Sequence, residues 1–280
     1  MKTLAFKRKT LDLSQPQVMG ILNTTPDSFS DGGRYQQLQA AIEQGLAMVK
    51  AGATLLDIGG ESTRPGAKDV GVDEELDRVI PVIRGIRQFD SNTLISVDTS
   101  KPEVMLAAVE AGADMINDVY ALRREGALQA AAECQVPVCL MHMQGEPRTM
   151  QANPSYDDLI TDINAFFEER ILACLEAGIA KELLLLDPGL GFGKSLVHNY
   201  QIMNQLKRFS KFELPLLVGA SRKSMIGTLL NKPVQQRVAG SVSAALYAAV
   251  NGAQILRVHD VAQTCDALAV WTACENPIIT

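Results

Sequence analysis

The sequence lacks the marks of a membrane or secreted protein. No apolar stretch reaches the roughly 18 residues that a membrane-spanning helix requires. The opening residues, MKTLAFKRKT, contain no apolar core of the kind that signal peptides carry. We therefore expect a cytoplasmic protein with no membrane partner.

Cysteine and histidine are also scarce, and neither forms a metal motif. An odd number of widely spaced cysteines predicts reduced, structural thiols rather than disulfides or a zinc site. The histidines lack the H-x-x-x-H spacing of a helical metal site. The residues concerned are Cys134, Cys139, Cys174, Cys265 and Cys274, together with His142, His198 and His259.

Positive charge is in deficit as well. The 32 Asp and Glu residues outnumber the 26 Lys and Arg residues, which gives a net charge of -6. A surface that neutralises many nucleic-acid phosphates needs the opposite balance, so we expect no nucleic-acid partner. A local basic pocket for one small anion remains compatible with this composition.

What the sequence does have is a regular alternation of short apolar runs and helix-like segments. Eight such pairs predict an α/β fold, a closed (β/α)₈ TIM barrel of parallel strands. Residues 3–13 predict a short β-hairpin that plugs one barrel end. No linker is visible, so residues 1–280 are expected to form a single domain. The predicted strands are 18–23, 55–60, 94–99, 115–119, 138–143, 183–187, 214–219 and 254–258, and the predicted helices are 36–51, 74–89, 102–111, 125–134, 156–178, 198–209, 224–252 in two pieces, and 261–274.

In most of the predicted strands the apolar run ends directly in a polar residue. Asp57, Asp98 and Asp187 are examples. In α/β barrels the C-terminal strand ends meet at one face, where ligands bind. Two long connections on that face, 24–33 and 61–73, are rich in Gly, Pro, Ser and Asp and predict binding loops. The pattern predicts one site assembled from many strands.

The strand-end acids and amide suit recognition of a flat heterocycle. Asp98 and Asp187 accept hydrogen bonds, whereas Asn117 both donates and accepts. Together they could recognise a ring edge that bears an amino group and N–H donors. The alternative is that these residues only cap the helices that follow the strands.

The last two strand–helix units predict an anion site. Barrels often bind phosphate after strands 7 and 8, and Arg257 with His259 suits a diphosphate. A structural salt bridge of Arg257 with Asp260 or with another carboxylate is the alternative. Lys223, in the SRKS motif at 221–224, is expected to donate hydrogen bonds, with Schiff-base chemistry as its alternative.

Three further features have less specific signals. GLGFGKS at 189–195 is similar to a phosphate-binding P-loop, but Pro188 stands where that motif needs glycine. Its glycines are expected to form a compact loop beside the pocket.

His142 is as consistent with a structural role as with a functional one. A hard ion such as Mg²⁺ is more plausible than a histidine-bound metal, and Asn23 beside Asp27 offers oxygen ligands.

Eight longer strings carry a family resemblance. They are MGILNTTPDSFSDGG (19–33), DIGGESTRPGA (57–67), ISVDTSKPEV (95–104), INDV (116–119), LMHMQG (140–145), LLLDPGLGFGK (184–194), SRKSMIG (221–227) and RVHDV (257–261). Their length and order make the match specific. The chain closely resembles the bacterial dihydropteroate synthase family, which belongs to the pterin-binding TIM barrels.

The resemblance implies a transferase of folate biosynthesis. Its members join 7,8-dihydropterin-6-ylmethyl diphosphate to p-aminobenzoate with the help of Mg²⁺, and the products are 7,8-dihydropteroate and pyrophosphate. The implied substitution is dissociative. Sulfonamide inhibitors mimic p-aminobenzoate, and the enzyme usually works as a homodimer through the helices of its last units.

The motifs also carry over the family's site residues. Asp98, Asp187, Lys223 and Arg257 would be catalytic. The pterin would be bound by Asp98, Asn117, Asp187 and Lys223. The diphosphate and the metal would be bound by Asn23, Thr63, Arg64, Arg257, Val258 and His259, with Asn23 as the metal ligand. The p-aminobenzoate pocket would be bordered by Phe29, Pro65, Ser221 and Lys223.

Three other functions stay open from the residues alone. Another pterin barrel could transfer a methyl group from a folate to a corrinoid, although that reaction gives no reason for a diphosphate site. A non-catalytic pterin-binding protein would bind the diphosphate substrate and release no pyrophosphate. A Schiff-base lyase would work through Lys223.

Overall fold

The N-terminal residues form a small hairpin. The structure, a computed structural model, describes residues 3–24, 34–62, 69–146, 149–150 and 154–277. β1 (Thr3–Ala5) and β2 (Thr10–Asp12) pair antiparallel, with Leu4 opposite Leu11. Both leucines are buried while the residues beside them are exposed, because successive side chains of a strand point to opposite faces.

Eight parallel strands close into a barrel. They are β3 (Gln17–Asn23), β4 (Leu55–Gly59), β5 (Leu94–Asp98), β6 (Met115–Asp118), β7 (Val138–Met141), β8 (Leu184–Asp187), β9 (Leu217–Val218) and β10 (Ile255–Val258). Their order is β8, β7, β6, β5, β4, β3, β10, β9. A parallel bridge between Leu186 and Leu216 joins the first of these to the last. The barrel with its N-terminal hairpin confirms the predicted fold class.

Nine helices of the described ranges surround the barrel. They are α1 (Arg34–Lys50), α2 (Val72–Phe89), α3 (Pro102–Ala111), α4 (Ala127–Cys134), α5 (Leu159–Glu176), α6 (Leu196–Asn204), α7 (Ser224–Leu230), α8 (Val238–Val250) and α9 (Val261–Glu275). α3 starts at Pro102 and is followed by Gly112, whose φ is 117°. This order is expected, because proline suits the first helical turn and glycine tolerates the left-handed conformation beyond the last one. None of these helices is long and apolar enough to cross a bilayer.

The helix predicted over 198–209 is wrong in its second half. α6 ends at Asn204, and a 3₁₀ helix runs over Leu206–Phe212. Leu206, Phe209 and Phe212 are all buried. They are three residues apart, so a helix with three residues per turn aligns them on one face. The two phenylalanine rings pack on Phe167, each with ring centres 5.9 Å apart.

The hairpin seals the N-terminal end of the barrel, as predicted. Its four apolar side chains form one buried cluster with a residue from each barrel strand. We call this cluster the apolar layer: Leu4, Phe6, Leu11 and Leu13 with Met19, Leu55, Leu94, Met115, Cys139, Leu185, Leu217 and Ile255. Because this end is closed, a site in the barrel interior opens at the C-terminal mouth.

The cysteines are free thiols, as predicted. Cys134, Cys139 and Cys174 are buried, Cys265 is partly exposed and Cys274 is exposed. Burial raises the pKa of the three buried thiols above their usual value. These thiols are therefore protonated near neutral pH and unreactive.

Candidate active site

A polar layer lies directly above the apolar layer. Side chains two positions apart on a strand share a face. Four strands therefore carry an apolar and a polar side chain on the barrel interior: Leu55 and Asp57, Met115 and Asn117, Leu185 and Asp187, Ile255 and Arg257. We call Asp57, Asn117, Asp187 and Arg257, together with Asp98 at the end of β5, the polar layer.

Arg257 joins three strands of the barrel. It extends from β10 past β3, and its Nε donates to Asp57 Oδ2 on β4 at 2.5 Å. Its Nη2 donates to Asp98 Oδ2 on β5 at 2.6 Å. The predicted salt bridge of Arg257 to another carboxylate therefore forms, with Asp57 and Asp98. The one to Asp260 does not form, because Asp260 pairs with Arg222 through Nε at 3.0 Å and Nη2 at 2.5 Å. Arg257 thus belongs to the pocket.

Asn117 is oriented by the same carboxylate. Its Nδ2 donates to Asp57 Oδ2 at 3.0 Å. Asn117 and Asp98 are direct neighbours in the register of β6 and β5. An ionised carboxylate only accepts hydrogen bonds, so the amide nitrogen must face Asp57. The amide oxygen of Asn117 is then the atom left for a ligand.

Asp187 and Lys223 occupy the other side of the mouth. Asp187 Oδ1 accepts from the Gly189 N–H at 2.7 Å. The Lys223 amine donates to the Leu190 carbonyl and lies 4.6 Å from the centre of the Phe192 ring. A cation over an aromatic face is attracted by the ring quadrupole. The loop after β8 therefore positions both charged side chains.

The helix-capping alternative is excluded for the three predicted ligand-binding residues. The N-cap residue of α3 is Lys101, that of α4 is Gly126 and that of α6 is Ser195. Asp98, Asn117 and Asp187 precede these caps by three or more positions. Their polar groups are available to the barrel mouth instead.

Two groups of the site, Asp98 and Lys223, have a pKa near neutral pH. Burial raises the pKa of the Asp98 carboxyl to about 7; Arg257 opposes the shift, and Asp57, Glu75 and Asp118 reinforce it. Strongly perturbed carboxyls in a cleft are typical of functional sites.

Lys223 and Asp187 are perturbed in opposite directions. Burial lowers the pKa of Lys223 to about 8, although the neighbouring carboxylate of Asp187 opposes this shift. Burial raises the pKa of Asp187, and Lys223 is the main opposing charge. Burial works against ionised Arg257 too, yet Asp57 and Asp98 raise its pKa above the usual value. Arg257 is the permanent cation of the site.

The GLGFGK segment forms the compact loop that its glycines predict. Gly189, Gly191 and Gly193 have φ values of 67°, 80° and 64°. A Cβ atom on Gly189 would lie 1.9 Å from the His142 carbonyl oxygen, so the loop could not sit so close to β7 with any other residue there. Lys223 Cδ would lie 3.3 Å from a Cβ on Gly191. The loop lies beside the pocket, as predicted.

A buried lysine fixes this loop, and the sequence analysis missed it. Lys194 is 2% exposed. Its Nζ lies 2.8 Å from His142 Nδ1 and 3.0 Å from the Phe192 carbonyl oxygen. Burial lowers the pKa of His142 to about 2, so its ring stays neutral. His142 also packs edge-on against Phe166 at 4.9 Å, a contact that is consistent with the structural alternative.

The predicted anion residues lie at neighbouring strand ends. Val258 ends β10 and Asn23 ends β3, and these two strands pair. Ser221 Oγ accepts from the His259 N–H at 3.1 Å and lies 3.0 Å from His259 Nδ1. Ser221 and His259 thereby connect the loops after β9 and β10.

Five residues that the sequence analysis singled out lie outside the described ranges. They are Asp27, Phe29, Thr63, Arg64 and Pro65. The chain on either side of 63–68 is held by buried charges: Lys101 Nζ donates to Glu61 Oε2 at 2.5 Å and to Glu75. Glu61 Oε1 in turn accepts from the Val70 N–H at 3.2 Å. Lys101 and Glu75 are further residues that the sequence analysis did not single out.

The comparisons with known proteins agree with this geometry. The family model of pterin binding enzymes matches residues 19–259. The chain is 58% identical to the dihydropteroate synthase of Escherichia coli K12 over 265 residues, which cover 94% of this chain and 93% of that protein. The chain belongs to the dihydropteroate synthase family. The resemblance carried by the eight strings is thus confirmed.

Solved dihydropteroate synthases share the whole architecture. The Yersinia pestis crystal structure, a sulfonamide drug complex, is 58% identical and has a TM-score of 0.93, with coverage of 98% of this chain and 99% of that one. The Xanthomonas albilineans dihydropteroate synthase in complex with 7,8-dihydropteroate is 51% identical, with a TM-score of 0.89 and coverage of 98% and 99%. As a dihydropteroate synthase, the chain is a transferase of folate biosynthesis.

Proposed function

We propose that the polar layer of this dihydropteroate synthase binds 7,8-dihydropterin-6-ylmethyl diphosphate and that its C–O bond breaks before p-aminobenzoate attacks. The products are 7,8-dihydropteroate and pyrophosphate. The observation that carries the proposal is the meeting of Asp98 and Asp187 with Arg257 and Lys223 at one barrel mouth, with Asp57 buried against Arg257.

Pterin recognition follows from the donors and acceptors that remain available. Asp98 and Asp187 are acceptors for the ring N–H and amino groups, and Asn117 adds its amide oxygen. The Lys223 amine supplies a donor for a ring acceptor. The partners already fixed inside the protein, Asp57 for Asn117 and the Leu190 carbonyl for Lys223, support these directions.

The same groups favour a dissociative substitution. When the C–O bond breaks, positive charge grows on the pterin methylene and negative charge on the leaving diphosphate. The fixed carboxylates of Asp98 and Asp187 stabilise the cation, while Arg257 and His259 stabilise the diphosphate. Preorganised groups of this kind are each worth about 3 kcal/mol of barrier.

The donor set at Asn23 fits Mg²⁺ that is held mainly by substrate. No three His, Cys, Asp or Glu side chains of the described ranges come together as a metal site. Mg²⁺ typically binds one or two protein oxygens together with substrate phosphates, and Asn23 ends β3, the strand that pairs with β10. When bound there, the ion would neutralise part of the diphosphate charge. Thr63 and Arg64 are proposed as further diphosphate ligands.

p-Aminobenzoate is proposed to bind at the rim of the mouth. Ser221 and Lys223 border this position from the loop after β9, and Phe29 and Pro65 would complete it. Shelter from water matters here, because hydrolysis of the cation is the competing reaction. A sulfonamide would occupy the same position, in line with the drug complex of the Yersinia pestis enzyme.

We propose that the protein is a homodimer located in the cytoplasm. Each copy would fold as a single domain over residues 1–280. Large apolar side chains are exposed on the last helices: Leu229 and Leu230 on α7, Tyr247 and Val250 on α8, and Val270 on α9. A homodimer would cover this surface. The five free thiols suit a reducing compartment. Sedimentation analysis tests the dimer, and a monomer at micromolar concentration would contradict it.

A coupled pyrophosphate-release assay tests the activity directly. The diphosphate substrate and Mg²⁺ are supplied with and without p-aminobenzoate. We expect pyrophosphate and 7,8-dihydropteroate in equal amounts when the aniline is present, and a much slower release when it is absent. Binding of the diphosphate substrate without any release of pyrophosphate would instead favour a non-catalytic pterin-binding protein.

A further inference from the structure

Asp57 contacts two residues of the proposed pterin site but is itself shielded from ligands. It is the third of the five residues of β4 and is 0% exposed. Both of its hydrogen bonds use one oxygen, Oδ2, which accepts from Arg257 Nε and Asn117 Nδ2. A side chain with no access to the mouth can influence a ligand only through the residues that it holds.

Asp57 fixes the direction of the Arg257 guanidinium. The group is planar and carries five N–H donors in a rigid fork. Asp57 receives the Nε donor and Asp98 receives an Nη2 donor, which sets the plane from two sides. The two Nη1 donors and the second Nη2 donor then remain for a ligand in a fixed plane. An anion at the mouth meets a preoriented cation, so binding does not have to immobilise it.

Asp57 also decides which face Asn117 presents. An asparagine amide could turn either its oxygen or its nitrogen toward a ligand. Because Asp57 Oδ2 accepts the Nδ2 donor, the Asn117 oxygen is directed away from β4. Rotation of the amide would bring two acceptors together inside the barrel, which is unfavourable for a buried pair.

The fold maintains Asp57 at a cost to stability. Its other oxygen, Oδ1, has no hydrogen-bond partner among the described residues. Unpaired buried acceptors are rare in native proteins and recur at functional sites. If Asp57 served stability alone, an apolar side chain at this depth would give a more stable protein. Leu55, two positions earlier on β4, is such a side chain.

We propose that Asp57 is a positioning residue of the reaction, which sets the acceptor face of Asn117 for the pterin and the guanidinium direction of Arg257 for the diphosphate. The proposal rests on the function proposed above. It assigns Asp57 no contact with substrate.

The first test separates the two contacts with two ligands. Calorimetric titration of Asp57→Asn with the dihydropterin diphosphate, without p-aminobenzoate, measures the combined effect. Titration with 6-hydroxymethylpterin, which has no diphosphate, measures the Asn117 part alone. Both affinities should fall severalfold, because the amide oxygen that can take the place of Oδ2 is a weaker acceptor than a carboxylate and no longer supplies a charge to hold Arg257.

Asp57→Leu provides a graded comparison. Leucine has no acceptor, so it releases both Arg257 and Asn117, whereas the asparagine oxygen can still take the place of Oδ2. We expect affinity for 6-hydroxymethylpterin to be at least severalfold lower in Asp57→Leu than in Asp57→Asn. Equal affinities in the two variants would contradict the role assigned to the hydrogen bonds of Asp57.

The pH profile provides a readout that a structural role would not change. Asp98 is faced by Arg257, Asp57, Glu75 and Asp118. Removal of the Asp57 charge should lower the pKa of Asp98, so the acidic limb of kcat/KM should move to lower pH.

Asp114→Asn is the matched control. Asp114 is a buried acid beside the hairpin; it accepts from Arg8 Nε at 3.0 Å, the Ile95 N–H at 2.9 Å and Arg87. Its substitution should lower stability and leave both affinities and the acidic limb unchanged.

The outcomes distinguish this inference from the proposed function. Weaker binding of both ligands, a further loss in Asp57→Leu and a shifted acidic limb would support the role of Asp57. Wild-type affinity and an unshifted profile in Asp57→Asn, with only the stability loss of Asp114→Asn, would overturn it. Absence of pyrophosphate release by the wild type would refute the function, while the titrations would still report on Asp57.

Discussion

The two layers of the barrel interior are built on the same strands and do different work. The apolar layer at the hairpin end contains only hydrophobic side chains, among them Leu185 and Cys139. Two residues further along β8, about 7 Å away at the usual rise of a strand, Asp187 belongs to the charged polar layer. The difference indicates that the apolar layer stabilises the barrel, whereas the polar layer lowers its stability and provides the charged groups of the site.

The largest expected effect is the loss of charge in the polar layer. Asp98→Asn and Asp187→Asn should each lower kcat by about 10²-fold or more, because the developing pterin cation loses a fixed carboxylate. Steady-state kinetics with saturating p-aminobenzoate measures this. Circular dichroism should show an intact fold. Near-normal turnover in either variant would remove that residue from the mechanism.

The apolar layer should show the reverse behaviour. Leu185 precedes Asp187 by two positions on β8. Leu185→Ala should lower the free energy of unfolding by about 3 kcal/mol, because it leaves a cavity among close-packed side chains. Urea denaturation measures the loss, and Leu185→Met serves as the volume-matched control. We expect kcat per folded molecule to stay within about twofold of the wild type. A large fall in kcat would mean that the layers are not independent.

Asp98 should make the stability of the wild type depend on pH. Its pKa is raised from 3.8 to about 7 in the folded protein, chiefly by burial. The protonated carboxyl therefore favours the folded state at low pH, and this contribution is lost as the pH rises from 3.8 to about 7. Compared with Asp98→Asn, the wild type should lose stability over that interval. Parallel stability curves for the two proteins would contradict the raised pKa.

The smallest expected effect concerns the thiols. Cys139→Ser introduces a hydroxyl into the apolar layer and should cost about 1–2 kcal/mol, because the new polar group is buried. Cys274→Ser, at an exposed position of α9, should change stability by less than about 0.5 kcal/mol. Thermal unfolding of both variants gives the comparison. Equal effects would show that Cys139 is less enclosed than its burial indicates.

The barrel was predictable because its signals are local. Each barrel strand lies on an apolar run, and the glycines that follow α1, α3 and α8 have the left-handed φ expected of them. Prediction was wrong where local propensity competed with packing. The segment after Asn204 has a helical composition, but burial of Leu206, Phe209 and Phe212 on one face selects a 3₁₀ helix instead.

The site was predictable only in part. Asp98, Asn117, Asp187, Lys223 and Arg257 meet at the mouth as expected, because parallel strands deliver their ends to one face. The roles of Asp57 and Lys194 were missed, since a sequence does not reveal which polar side chains bind each other. One signal was available for Asp57: two more residues of β4 follow it, whereas Asp98 and Asp187 end their strands.

By itself the sequence determined the strand–helix alternation, the sealed apolar end and the set of polar residues at the mouth. These follow from period, composition and turn chemistry, which act over a few neighbouring residues. Only the tertiary structure decided the partners within that set: Arg257 with Asp57 and Asp98 rather than Asp260, and Lys194 with His142. Closure of the barrel brings residues as much as 200 positions apart into hydrogen-bond contact. Because these charges are buried, the free energy of the fold depends strongly on which of them pair.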